Sequence, residues 1–262
     1  MTTTRSIASD GADLHVRVQG RGAALLVLQG GDGIAEGTDP LVRELTAHFT
    51  VITYDRRGLG RSPVRGAADD HDLSTHGEDA SRVLAAVTDQ PAAVVGFSIG
   101  GLIALDLLAR HPEQVRVLVS HEPPAMALLR GAASEEAVAE LTDIITTHRE
   151  AGAAVAAPKL MGLAGITPSS PPSEPDAARL ANLDFFIGED MPAVLRHEPN
   201  LAALKGKPLV IGLGRDTGDI TASRCARALA AELGAPTADF PGGHSGFLFH
   251  PQEFAARLLT VL

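Results

Sequence analysis

The stretch Val94-Val95-Gly96-Phe97-Ser98-Ile99-Gly100-Gly101 leaves this chain few folds to choose from. An apolar run enters Gly-x-Ser-x-Gly-Gly, and the helical pattern Leu102-Ile103-Ala104-Leu105-Asp106-Leu107-Leu108 follows at once. That order predicts a strand, a serine at the apex of a sharp turn, and a helix. The apex forces the serine backbone into a strained conformation, so its neighbours need minimal side chains if strand and helix are to approach. With 27 glycines in 262 residues, chance gives roughly 0.1 such matches, so the pattern needs its context. The context is present on both sides. An idle serine in a glycine-rich turn is the competing reading, and Ser98 is taken as a candidate nucleophile.

The rest of the chain alternates strand and helix patterns. Residues 3–9 and 13–19 read as a hairpin about Asp10-Gly11. The run 23–28 is continuously apolar, as in a strand buried on both faces, and ends in Gln29-Gly30-Gly31-Asp32-Gly33. A helix over 39–49 carries Pro40 in its first turn and Leu41, Leu45 and Phe49 on one face, before a strand at 51–54. Residues 63–72 read as a polar loop, after which Thr75 and Glu78 form a capping box that opens a helix to about Val87. Beyond the serine turn, 115–120 is a strand ending at His121-Glu122-Pro123-Pro124. Strand patterns then vanish until 208–211; Glu135–His148 is amphipathic, and 168–175 is a Pro/Ser-rich break. A helix at 221–233, a strand at 236–240 and a terminal helix from Pro251 complete the chain. The expectation is an α/β fold: a mostly parallel central sheet with helices on both faces and an inserted helical cap. Residues 1–123 and 201–262 form its core, and 124–200 the cap.

Serine needs a base to take its proton and a third group to orient that base. Among ten histidines, His244 is the best base, because it follows the last strand in the loop Pro241-Gly242-Gly243-His244-Ser245-Gly246. Loops at the carboxyl edge of a parallel sheet converge on the ligand crevice. His250 suits the start of the final helix, and His15, His48, His111 and His148 read as surface or packing residues. His71 and His76 border the loop near Thr75, and the histidines show no metal-ligand spacing. Asp216, after the strand at 208–213, is the preferred acid; Glu122, directly after the strand at 115–120, is the alternative. The N–H of Ile99 and that of Gly31 are the candidate oxyanion donors. Gly30, Phe97, Met161, Phe185 and Phe186 are candidate substrate contacts, with Leu160, Leu163, Met191 and Leu195 as further apolar cap residues. For each cap residue taken singly, packing is the competing role.

Composition excludes several partners. A formal charge of -10 opposes contact with nucleic acid or anionic lipid, and one tyrosine with no tryptophan leaves little for stacking on bases. A single cysteine, Cys225, excludes an intrachain disulfide. Without an apolar leader or a membrane-length run, a cytoplasmic protein is expected. Its partner is a small-molecule substrate, a homodimer is left open, and the chemistry calls for no cofactor and no metal.

Taken together, Gln29-Gly30-Gly31, the run Asp55-Arg56-Arg57-Gly58-Leu59-Gly60-Arg61-Ser62, Gly96 to Gly101, Asp216 and Gly242-Gly243-His244 resemble the α/β-hydrolase superfamily, specifically its small cofactor-free members with a helical cap. The resemblance spans essentially the whole chain. It implies that Arg57 and the glycines of its run shape a loop and take no part in catalysis. Two departures stand out: Gln29 replaces a frequent histidine, and Asp216 lacks the usual Asp-x-x-x-Pro continuation. Relatives such as haloalkane dehalogenases place a glutamate where Glu122 stands, but their nucleophile is an aspartate, as in epoxide hydrolases. Ser98 points instead to acyl transfer on an ester, lactone or related carbonyl of a small, largely apolar molecule. Carbon–carbon bond hydrolysis, lyase or cyclisation chemistry is the alternative, and a non-catalytic binder the third.

Overall fold

Alternate residues of the apolar run after Gly22 point to opposite sides of one sheet, as the period of two requires. A computed structural model describes residues 2–31, 33–65, 71–166 and 176–262. In it, Leu26 and Leu28 pack into one apolar cluster and Leu25 and Val27 into another, on the two faces of the sheet. The strand is therefore buried on both sides, which explains why it carries no polar alternation.

The sheet holds eight strands: β1 (Thr2–Ser9), β2 (Ala12–Gly20), β3 (Ala23–Leu28), β4 (Phe49–Tyr54), β5 (Ala92–Phe97), β6 (Val115–His121), β7 (Leu209–Gly214) and β8 (Thr237–Phe240). Their spatial order is β1-β2-β4-β3-β5-β6-β7-β8. Only the pairs β1–β2 and β2–β4 are antiparallel; all others are parallel. The helices in chain order are α1 (Asp39–Leu45), α2 (Leu73–Val87), α3 (Ile99–Arg110), α4 (Ala132–Ala151), α5 (Ala153–Leu163), α6 (Ala177–Phe185), α7 (Met191–Arg196), α8 (Leu201–Leu204), α9 (Thr221–Leu233), α10 (Gly246–Phe249) and α11 (Pro251–Leu259). A π-helical turn, Phe186–Asp190, joins α6 to α7. Buried residues of α2, α3 and α9 fill the first cluster, and those of α1, α10 and α11 the second. The order predicts this layering, since parallel neighbours need crossover helices.

Between β6 and β7 the described residues form α4 to α8 and no strand, and α4 to α7 stand over the carboxyl ends of the parallel strands. Two local expectations change. The first helix ends at Leu45, and Phe49 opens β4, because it pairs with Ala23 at the start of β3, which draws that backbone into the ladder. The helix expected at Thr75 begins at Leu73, capped by the Asp72 side chain, which accepts from Thr75 N. A carboxylate caps as well as a hydroxyl and adds favourable charge at the helix start. The predicted break at 168–175 and residues 66–70 of the predicted polar loop lie outside the described residues.

The run from Asp55 to Ser62 braces the loop after β4. Asp55 accepts from the Ala35 and Arg61 backbone N–H groups, and Arg57 grips the buried Asp79 with two 2.7 Å bonds. No helix among the described residues is long and apolar enough to cross a membrane.

Candidate active site

Ser98 sits between β5 and α3 with φ 53° and ψ -123°, a conformation that L-residues avoid. Close approach makes the surrounding glycines obligatory. A Cβ on Gly96 would run into the Gly100 carbonyl, and one on Gly100 into the Leu28 carbonyl. The Ser98 N–H donates to the His121 carbonyl at 2.9 Å, which ties the turn to the end of β6.

One residue further along β6 the backbone turns left-handed: Glu122 has φ 44°. That turn buries its carboxylate and sets it between two strand-end loops. Oε1 accepts from the Gly214 N–H at 2.9 Å, and Oε2 accepts from His244 Nδ1 at 2.8 Å. Burial raises the Glu122 carboxyl, but the hydrogen bond and charge of His244 and the Gly214 N–H outweigh it and hold the group below its usual range. With Nδ1 donating to a carboxylate, Nε2 is the nitrogen left to accept a proton. Ser98 and His244 line the same cavity.

Of the two candidate acids, Glu122 and not Asp216 is the one hydrogen-bonded to His244. The Asp216 backbone N–H supports Gly242, but its side chain is exposed, while the imidazole has Glu122. The main chain of Asp216 packs beside Gly243, next to His244, while Gly214, two residues earlier, donates to Glu122. His121, beside Glu122, is fully buried against Phe97, Phe240 and Phe254, with both ring nitrogens unpartnered among the described residues. Burial pushes its pKa down to about 4, so it is neutral at pH 7.

The cavity measures about 770 Å³. Gly30, Gly31, Ser98, Ile99 and His244 line it on the sheet side. Leu160, Met161, Leu163, Phe186 and Met191 line it on the helical side. Phe185 and Leu195 are not among the lining residues. The Phe185 ring instead covers Gly58 and meets His71 edge-on at 5.3 Å, and Leu195 packs on the core. Phe97 reaches the cavity wall, yet its ring is stacked on Phe247 at 4.0 Å inside the second cluster, so it serves chiefly as packing. Ile99 is the first residue of α3, where a helix leaves its N–H groups without intrahelical partners.

A second group of polar side chains, which no local residue pattern announces, assembles behind Gly30 and Gly31. Arg56, from the loop after β4, donates to the carbonyls of Gln29, Gly30 and Gly31 at 3.2, 2.6 and 3.3 Å. It also donates to Asp190 of the π-turn, at 2.7 Å and fully buried. Asp190 also meets His71 Nε2 at 2.6 Å and His76 Nε2 at 3.2 Å. Burial raises the Asp190 carboxyl, but Arg56 and the two histidines hold it well below its usual range. The histidine and aspartate atoms lie within 4.8 Å of one another, a grouping that spacing along the chain conceals.

Residues 23–139 match the family model for the alpha/beta hydrolase fold. An uncharacterized hydrolase, YraK of Bacillus subtilis, is 34% identical over 260 residues, covering 96% of this chain and 93% of its own. The chain belongs to the α/β-hydrolase family. A second relative of this hydrolase is a pimeloyl-[acyl-carrier protein] methyl ester esterase of Citrobacter koseri, 37% identical over 109 residues, 41% of this chain and 40% of its own. Among solved structures, an esterase of Exiguobacterium antarcticum superimposes with a TM-score of 0.77 at 21% identity, covering 98% of each chain. The α/β hydrolase is thus an enzyme of the hydrolase class, with an eight-stranded, mostly parallel sheet as its frame.

Proposed function

We propose that this α/β hydrolase is a serine esterase that cleaves an ester, lactone or related carbonyl bond of a small, largely apolar molecule. The observation that carries the proposal is the 2.8 Å hydrogen bond between His244 and Glu122, on the cavity that also receives the strained Ser98. His244 Nε2 takes the Ser98 proton as Oγ attacks the substrate carbonyl. The tetrahedral oxyanion accepts from the N–H groups of Ile99 and Gly31. His244 then protonates the leaving alcohol, and an acyl-enzyme remains. Water, deprotonated by the same imidazole, hydrolyses it and restores Ser98. Glu122 keeps the proton on Nδ1 and stabilises the imidazolium that forms in each half-reaction. The apolar cap lining favours an acyl or alkoxy group without charge, and the relative that acts on a methyl ester supports ester cleavage.

The test is hydrolysis of short and medium p-nitrophenyl esters by wild type, Ser98→Ala and His244→Ala, with fluorophosphonate labelling in parallel. Turnover and labelling that vanish with Ser98→Ala are expected. A wild type that neither turns over nor labels overturns the proposal and brings lyase, cyclase or binding roles forward.

A further inference from the structure

The π-turn Phe186–Asp190 belongs to the cap, yet it meets the loop after β3 in two ways. The Phe186 ring lies against Gly31, where even a Cβ would stand only 3.0 Å from it. Asp190 grips Arg56, whose guanidinium spans the carbonyls of Gln29, Gly30 and Gly31. The shortest of these bonds, 2.6 Å to the Gly30 oxygen, has a consequence for the next residue. The Gly30 carbonyl and the Gly31 N–H belong to one planar trans peptide, so they point in opposite directions. Holding that oxygen towards Arg56 turns the Gly31 N–H away from Arg56. Glycines supply no stiffness of their own at this point, since their backbone has the widest conformational freedom. The Gly33 N–H donates to the same Gly30 oxygen at 3.1 Å, and the fork of Arg56 supplies the shorter bond and ties in the carbonyls on either side; the position of the fork depends on Asp190.

Asp190 in turn is held by more than one bond. His71 and His76 fix its other oxygen, and no part of Asp190 reaches solvent. Arg56 is equally buried, 1% exposed, so neither partner can turn to water if the other is lost. We infer that Asp190 is a positioning residue of the cap that aims the Gly31 N–H at the oxyanion through Arg56. The inference rests on the esterase reading of Ser98. It makes an ordered cap a condition for a complete oxyanion site, in addition to any contact the cap makes with substrate.

The experiment compares wild type, Asp190→Asn, Arg56→Lys and Asp143→Asn. Asp143 pairs with Lys159 on the exposed side of the cap and serves as the control. Lysine keeps the charge opposite Asp190 but has no planar fork to span three carbonyls. Measured are kcat and KM on a p-nitrophenyl ester, inhibition by a trifluoromethyl ketone that forms a tetrahedral adduct, Tm, and bound divalent metal. The expected result for Asp190→Asn and Arg56→Lys is a fall in kcat of about 10- to 100-fold, with KM within about threefold. Affinity for the trifluoromethyl ketone falls by a similar factor, while Asp143→Asn behaves as wild type. If Asp190→Asn does not fold, Arg56→Lys alone decides. A lowered Tm with unchanged kcat and ketone affinity overturns the inference and leaves a purely structural role. A comparable kcat loss in Asp143→Asn also overturns it. So does a stoichiometric divalent ion that is lost with His76→Ala, since His71, His76 and Asp190 would then be ligands. A wild type that neither turns over nor labels with fluorophosphonate brings down the esterase reading itself, which separates that failure from the others.

Discussion

Ser98 and Glu122 are the two non-glycine residues with positive φ among those described, and each costs about 1–3 kcal/mol of strain. Both stand at strand ends, where the turn redirects a side chain that an extended backbone would aim elsewhere. Glu122→Gln is expected to lower kcat by about 10²- to 10⁴-fold, since an amide can stabilise the wrong imidazole tautomer and cannot support the imidazolium. Asp216→Asn is expected to stay within about twofold of wild type, as an exposed substitution away from the reacting groups. Steady-state kinetics on one ester decides between them; equal losses would remove Glu122 from the role. His121 gives a separate expectation for stability. Its folded pKa of about 4 lies below the unfolded value of about 6.5, so between these pH values only the unfolded chain takes up the proton. Stability therefore falls as pH drops through that window, by up to roughly 3 kcal/mol from this residue. Urea unfolding at pH 7 and pH 4 should show a smaller difference for His121→Phe than for wild type. Equal differences would refute the assignment.

At the scale of elements, the unit β5–Ser98–α3 explains why the local sequence is so restrictive. Gly100 lies where α3 passes the end of β3, and a methyl group there meets main chain that cannot rotate aside. Gly100→Ala should therefore destabilise the protein by about 1–3 kcal/mol, seen as a Tm lowered by several degrees. A Tm equal to wild type would mean that strand and helix sit further apart than described. The elements of the core were legible from their periodicity. Their ends were less so, because a cap or a ladder bond depends on the partner that is nearest in space. Asp72 displaced Thr75 as cap, and Phe49 left its helix for β4 on the strength of pairing with β3.

At the scale of the whole molecule, α4 to α7 contribute the apolar wall of a cavity that Ser98 and His244 line from the sheet side. Met161 and Leu163 line the chamber from α5. Met161→Trp should fill part of it, raise KM for medium-chain esters by about tenfold and leave acetate esters nearly unaffected. A chain-length profile identical to wild type would place the acyl group elsewhere. The same helical segment supplies Asp190 to Arg56 across 134 residues of chain.

The sequence alone determined the sheet-and-helix alternation, the turn that carries Ser98, and the late glycine loop that carries His244. Those features are set by side-chain period and backbone freedom within a few neighbouring residues, so they can be read locally. Only the tertiary structure decided which carboxylate meets His244, because Asp216 and Glu122 both follow strands and only the packed fold buries one against the imidazole and leaves the other exposed. The same holds for Arg56, His71, His76 and Asp190, and for the removal of Phe185 from the cavity. Hydrogen bonds and contacts between residues far apart in the chain depend on how layers pack, and no local pattern of residues encodes that distance.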